Sequence, residues 1–169
     1  WLAETLTSFS PIQVGRFWVH GRHHTGSMPP GMVPVQVEAT TAFGTGEHAT
    51  TQACLLAIDA LANYSPFVRL LRSTRSPPVL DIGCGTGVLA IAAAKHWRCS
   101  VLASDIDLEA VQVTYQMVRN NGLHESINVV RSAGVRHRTI LRSGPYALIT
   151  ANILAQPLCD IAMPVARLL

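Results

Sequence analysis

Short apolar runs alternate along the chain with longer segments of helical character, and this alternation sets the expected architecture. Arg16-Phe17-Trp18-Val19 and Val33–Ala39 (Val35, Val37 and Ala39 in step) predict two strands, with a turn-rich loop between them. A helix is expected from about Thr50 to Ala62, with Cys54, Leu55, Ile58, Leu61 and Ala62 on one face. Tyr64–Pro78 reads as a helical remnant and connector. The run Val79, Leu80, Ile82 predicts a strand that turns through Gly83, Gly85 and Gly87 into a helix over Val88–Lys95. A further strand is expected at Val101–Ala103, ending in Asp105. Asp107 is a good N-cap for a helix reaching Asn121, with Glu109 in its first turn and Gly122 at its stop. Ile127–Val130 and Tyr146–Ala151 predict two more strands, and a helix follows Asn152 through Leu168. Arg131–Ser143, without periodicity, reads as a solvated loop, with a contact surface for an acidic or RNA partner as the minority alternative.

Strands alternating with helices call for an α/β fold with a mostly parallel sheet, right-handed crossovers and helices on both faces. Ligands in such sheets lie beyond the carboxyl ends of the strands. Gly83, Asp105 and Asn152 all fall at such ends, so they are expected to converge on one crevice.

Composition narrows the class. A chain of 169 residues is long enough for one domain burying about 70% of its unfolded surface. With 14% charged residues and a net charge of +3, basic character is too weak to argue for nucleic acid. Cys54, Cys84, Cys99 and Cys159 lack the spacing of a zinc site or disulfide framework and read as free buried thiols of a reducing cytoplasm. His20, His23 and His24 lack the spacing of a metal site, and no metal is expected. No apolar run approaches the ~20 residues of a membrane span. The chain opens on Trp1, without a signal-peptide pattern, and reads as a piece of a longer one.

The chemistry is concentrated at the glycine turn. Glycines let the backbone come close to a ligand, and the N–H groups of the helix that follows point back at the loop. An acid about twenty residues on, Asp105, is placed to accept ribose hydroxyls. The third glycine comes one residue too early for the dinucleotide fingerprint. Asp81 would repel a pyrophosphate but pair with an ammonium. S-Adenosylmethionine carries an ammonium, a carboxylate and a ribose, and no phosphate.

Three segments together resemble one family: Ala42-Phe43-Gly44-Thr45-Gly46-Glu47-His48-Ala49-Thr50-Thr51, Leu80-Asp81-Ile82-Gly83-Cys84-Gly85-Thr86-Gly87-Val88-Leu89-Ala90-Ile91-Ala92, and Ala151-Asn152-Ile153-Leu154-Ala155-Gln156-Pro157-Leu158. They are similar to the PrmA family, the methyltransferases that modify the large-subunit ribosomal protein numbered eleven. The resemblance implies a Rossmann-like class I methyltransferase fold and transfer of methyl groups from S-adenosylmethionine to lysine and N-terminal amines of that ribosomal protein. It further implies a cytoplasmic protein with no membrane and no direct nucleic-acid partner. Carried over by position, Thr51, Gly83, Asp105 and Asn152 correspond to cofactor-contacting residues, with Asp81 and Gly85 in the glycine turn. Phe43, Gly44 and Thr45 correspond to a loop covering the cofactor. Asn152 is also the candidate for holding the substrate amine, the alternative being a helix N-cap. Residues 1–40 are expected to lead, through short strands, into a cofactor-binding domain over 41–169. Family members add an N-terminal recognition domain and strands beyond the fourth, and Ala147 stands where they carry an aspartate. Two alternatives stay open: a nicotinamide-dependent Rossmann oxidoreductase, against which the early third glycine speaks, and a non-catalytic cofactor-binding fragment.

Overall fold

A computed structural model describes residues 10–38, 48–73 and 77–169. Among them, strands β4 (Val79–Ile82), β5 (Val101–Asp105), β6 (Ile127–Arg131) and β7 (Leu148–Ala151) form a parallel sheet in the order β6-β5-β4-β7. The chain steps outward from β4 through β5 to β6, then returns to place β7 on the other side of β4. The reversal opens a crevice at the carboxyl ends of β4 and β7.

Helices cover both faces, as the strand pattern requires. Val79, Val101, Ala103 and Ile127 point to one side, where they meet helices α1 (Ala49–Leu61), α3 (Val88–Trp97) and α4 (Leu108–Asn120) through Leu55, Ile58, Ile91, Met117 and Val118. Leu80, Ile82 and Leu102 point to the other, against Val135, Ile140 and Tyr146 and the half-buried Ile161 and Val165. This second layer is built from α5 (Arg138–Ser143) and α6 (Ala155–Ala166). Helix α2 (Ser65–Leu71) occupies part of the expected connector, its Phe67 edge-on to Trp97 with ring centroids 4.8 Å apart.

Every residue of α3 from Val88 to Ala94 is buried. A helix apolar all round needs cover on its outer side as well. A second sheet in this layer comes from β1 (Ile12–Val14), β2 (Phe17–His20) and β3 (Val33–Gln36), whose Val14, Phe17, Val19 and Val35 belong to the same core as Val79 and Val101. β1 and β2 are antiparallel and β2 and β3 parallel. Lys95 Nζ donates to the Pro34 carbonyl at 2.8 Å, and the Asn121 amide side chain brackets Gln36, donating to its carbonyl at 2.8 Å and accepting from its N–H at 3.1 Å.

The Asp107 cap forms as expected, its carboxylate accepting the Glu109 N–H at 2.9 Å, and Gly122 takes φ +69° after the helix. Three expectations are corrected. The segment read as a solvated loop contains α5, whose single fully buried residue Ile140 fills the second core, with the His137 ring as cap at 3.2 Å from the Thr139 N–H. Tyr146 precedes β7 rather than opening it; its ring is buried and its hydroxyl donates to the Ile140 carbonyl at 2.8 Å. Of the cysteines, Cys84 and Cys99 are buried and Cys54 half-buried, but Cys159 is exposed. No group of three metal-ligating side chains occurs among the described residues, and none of their helices is by itself long and apolar enough to cross a membrane.

Candidate functional site

The crevice at the strand ends is a cleft of about 450 Å³. Thr51, Asp81, Gly83, Gly85, Asp105 and Asn152, far apart in sequence, all line it. Phe43, Gly44 and Thr45 lie outside the described residues.

The floor is the corner between β4 and α3. Gly83 has φ +71°, and a Cβ there would collide with Cγ2 of Ile153, which is seated directly over it. The Gly83 and Cys84 N–H groups both donate to the Ser104 carbonyl, at 2.7 and 3.0 Å. The Gly85 carbonyl accepts the Thr114 hydroxyl at 2.8 Å, and the Gly85 N–H donates to Asp105 Oδ2 at 3.0 Å. The corner is thus fixed by bonds from both neighbouring elements, and Gly83 and Gly85 both line the cleft.

Asp105 faces that corner. Its other oxygen, Oδ1, accepts the Asp107 N–H at 3.0 Å, so both oxygens are anchored and each keeps a lone pair for a second donor. Ile106, next in sequence, also lines the cleft and is 65% exposed, an apolar surface suited to a flat ring. Ser132 and Gly134, after β6, complete this end; the Ser132 hydroxyl donates to the Gly134 carbonyl at 2.8 Å and accepts the His137 N–H at 3.2 Å. Sequence reasoning passed over Ile106, Ser132 and Gly134. Their position directly after β5 and β6 was the available signal.

Asp81 is 1% exposed. Its Oδ1 accepts the Thr150 hydroxyl at 2.7 Å, and its Oδ2 has no well-aligned hydrogen-bond partner among the described residues. Burial pushes this carboxyl up to about 6; the Thr150 hydroxyl and the Ala90 amide at the head of α3 pull the other way, and the Asp105 charge adds to the rise. A buried carboxylate oxygen without a donor is costly unless a ligand supplies one.

On the opposite wall, Asn152 Nδ2 donates to Thr51 Oγ1 at 2.9 Å. Asn152 is not the cap of the following helix, since Leu154 stands at the N-cap position without a side-chain bond. His48 caps α1 instead, its Nδ1 lying 2.7 Å from the Thr50 hydroxyl and 3.3 Å from the Thr50 N–H, so that nitrogen is engaged in structure. Burial pushes the Cys84 thiol up, which removes it as a nucleophile.

A family model, full-length relatives and one solved structure point to the same family. The sequence profile described as "Ribosomal protein L11 methyltransferase (PrmA)" matches residues 1–169. The chain is 43% identical over 167 residues to the ribosomal protein L11 methyltransferase of Bradyrhizobium diazoefficiens, covering 99% of this chain and 54% of that protein. To the protein of the same name from Rhodopseudomonas palustris it is 41% identical over 167 residues, with the same coverage. A crystal structure of ribosomal protein L11 methylase from Lactobacillus delbrueckii subsp. bulgaricus matches with a TM-score of 0.74 at 26% identity, over 95% of this chain and 75% of that one. The chain spans about half the length of the curated relatives it matches. On sequence and fold together, it belongs to the ribosomal protein L11 methyltransferase (PrmA) family.

Proposed function

We propose that the cleft binds S-adenosylmethionine and that the protein methylates amino groups of ribosomal protein L11, lysine side chains and the N-terminal amine. One observation carries the cofactor reading: two carboxylates flank a glycine-rich corner that lines the cleft, and one of them keeps a buried oxygen without a hydrogen-bond donor among the described residues. The residues fit the cofactor's groups. Asp81 Oδ2 is the acceptor for its ammonium, the free lone pairs of Asp105 are acceptors for its ribose hydroxyls, and Ile106 offers an apolar face for its base. Two carboxylates at such a corner disfavour the pyrophosphate of a dinucleotide.

When bound, the cofactor supplies an electrophilic methyl on a sulfonium, so the chain needs no covalent nucleophile. Its residues have to place a neutral amine in line and keep water out. Asn152 donates through Nδ2 to Thr51, and its side-chain carbonyl carries no bond among the described residues, leaving it as an acceptor for a substrate N–H. Ile153 and Leu154 give the approach apolar walls, and an amine desolvated there titrates below its ordinary value and loses its proton more readily. Solvent takes that proton, since His48 is engaged as a cap. We further propose residues 41–169 as the cofactor-binding unit, entered through the strands of residues 1–40, in a cytoplasmic protein.

Calorimetric titration with S-adenosylmethionine tests the first half. Binding is expected, and Asp105→Ala should weaken it by about 1.5–3 kcal/mol, the range for hydrogen bonds to a charged acceptor. A folded sample that binds nothing at millimolar ligand removes the cofactor claim. Transfer of labelled methyl to intact ribosomal protein L11 tests the second half and separates an enzyme from a cofactor-binding fragment.

A further inference from the structure

Asp81 and Thr150 are direct partners across the parallel pair β4 and β7, so their side chains leave the sheet on the same face. The Thr150 hydroxyl donates to Asp81 Oδ1 at 2.7 Å and has a longer contact, 3.4 Å, with the Leu80 carbonyl. Asp81 itself lines the cleft, whereas Thr150 is not among the lining residues. One carboxylate oxygen is therefore held from the strand beside it, and the other is left for whatever enters the cleft.

We propose that Thr150 is a positioning residue: by holding Oδ1 it fixes the rotation of the Asp81 carboxylate, presents Oδ2 to the cleft, and favours the ionised form that an ammonium-bearing ligand requires. The inference rests on the cofactor reading above and assigns a further residue to it. The alternative role for a threonine on a strand is packing. Packing gives no reason for a 2.7 Å bond to a carboxylate with only one of its two oxygens satisfied among the described residues.

None of the charged and titratable groups around Asp81 favours its ionised form; that task falls to the Thr150 hydroxyl, with the Ala90 amide of α3 assisting. From β5, Asp105 opposes ionisation of Asp81, and the thiols of Cys54 on α1 and Cys84 in the corner lie close enough to feel its charge but carry none themselves. Across β7, Thr150 is the side-chain donor to this carboxylate. Deleting the hydroxyl should thus shift the carboxyl toward its neutral form and free its rotation together.

The test uses two nucleoside thioethers that differ in the amino-acid tail: S-adenosylhomocysteine, which carries the ammonium, and methylthioadenosine, which does not. In Thr150→Val, near-isosteric but without the hydroxyl, S-adenosylhomocysteine should bind about tenfold more weakly at pH 7, while methylthioadenosine changes by less than about twofold. Thr150→Ser should restore the wild-type ratio. The pH below which S-adenosylhomocysteine affinity falls should move upward in Thr150→Val. Equal weakening of both ligands, or no change in either, overturns the proposal. If the wild type binds neither ligand, the cofactor reading itself fails. The positioning claim is then judged on the ligand-free protein by carbon-13 NMR of the Asp81 carboxyl, whose midpoint must rise in Thr150→Val and return in Thr150→Ser; an unmoved midpoint overturns it. Thr150→Ala carries the same test if the valine variant does not fold.

Discussion

The two walls of the cleft are held in different ways. On one side, β4, the glycine corner and α3 form a block in which every helical residue from Val88 to Ala94 is buried and the corner's backbone is bonded to Ser104, Asp105 and Thr114. On the other, α6 has no buried residue at all; Ile161 and Val165 are half-buried against the sheet, and Leu154 and Met163 are 80% and 68% exposed. Segments with few buried contacts open at lower free energy than the core. The rigid block carries Asp81 and is bonded through Gly85 to Asp105 at the end of β5, the two groups proposed for the cofactor. The looser wall carries Ile153 and Leu154, the groups assigned to the incoming amine. Recognition of a small charged ligand needs preorganised acceptors, whereas a wall that meets a protein substrate is completed by what docks on it.

The largest effect should come from breaking the rigid side. Ile91→Ala, fully buried in α3, is expected to cost about 2–5 kcal/mol and to abolish cofactor binding by loosening the corner. Val165→Ala on the half-buried face of α6 should cost roughly 1 kcal/mol or less and leave cofactor affinity unchanged. Urea unfolding of the two variants side by side decides the matter: equal losses would show that the walls are one cooperative unit.

Gly83 is where the walls touch, and its substitution should have the next largest effect. Gly83→Ala forces a side chain into a left-handed backbone at φ +71° and against Ile153, at a cost of about 2–3 kcal/mol. Ile153→Ala in the same chain removes the collision but not the backbone strain. The double variant should therefore be more stable than the sum of the two single changes predicts, by about 1 kcal/mol in a double-mutant cycle. Additivity would mean that Ile153 moves aside without cost.

Much of this contrast was legible beforehand, because its signals are local. The spacing of Gly83, Gly85 and Gly87 after an apolar run, an acid at the end of the next strand, and Asp107 ahead of a helix each describe a few consecutive residues whose backbone needs are fixed by their own side chains. What escaped depends on tertiary partners. Helix α5 is six residues long, buries only Ile140 fully and is capped by a histidine, so neither periodicity nor capping chemistry marks it. The packing of β1–β3 over α3 was announced only by that helix being apolar on all sides, which calls for a cover without naming it. Thr150 had no local signal, since its bond to Asp81 exists through the register of β4 with β7. Asn152 was placed correctly at a strand end, but its partner Thr51 comes from a helix 101 positions earlier.

Asp81 sharpens the comparison furthest, because the rigid wall bears the cost of a buried carboxylate with one oxygen lacking a donor among the described residues. Its carboxyl is raised from 3.8 to about 6 in the folded protein. Between these values the folded chain holds a proton that the unfolded chain has released, so this group's contribution to stability falls as pH rises and the penalty is complete above the folded value. Asp81→Asn removes the titration and keeps the shape. The variant should come close to the wild type in stability near pH 4, gain on it progressively up to about pH 6 to 7, and hold a constant advantage of about 3 kcal/mol above that. The same variant should lose S-adenosylmethionine binding, and saturating ligand should reverse the order of melting temperatures at pH 7.5 by stabilising only the wild type. Thermal unfolding from pH 4 to 8, with and without ligand, measures both. A wild type already more stable than Asp81→Asn at pH 7.5 without ligand would mean that Oδ2 is satisfied from within the protein, and the ammonium would then have no acceptor waiting for it.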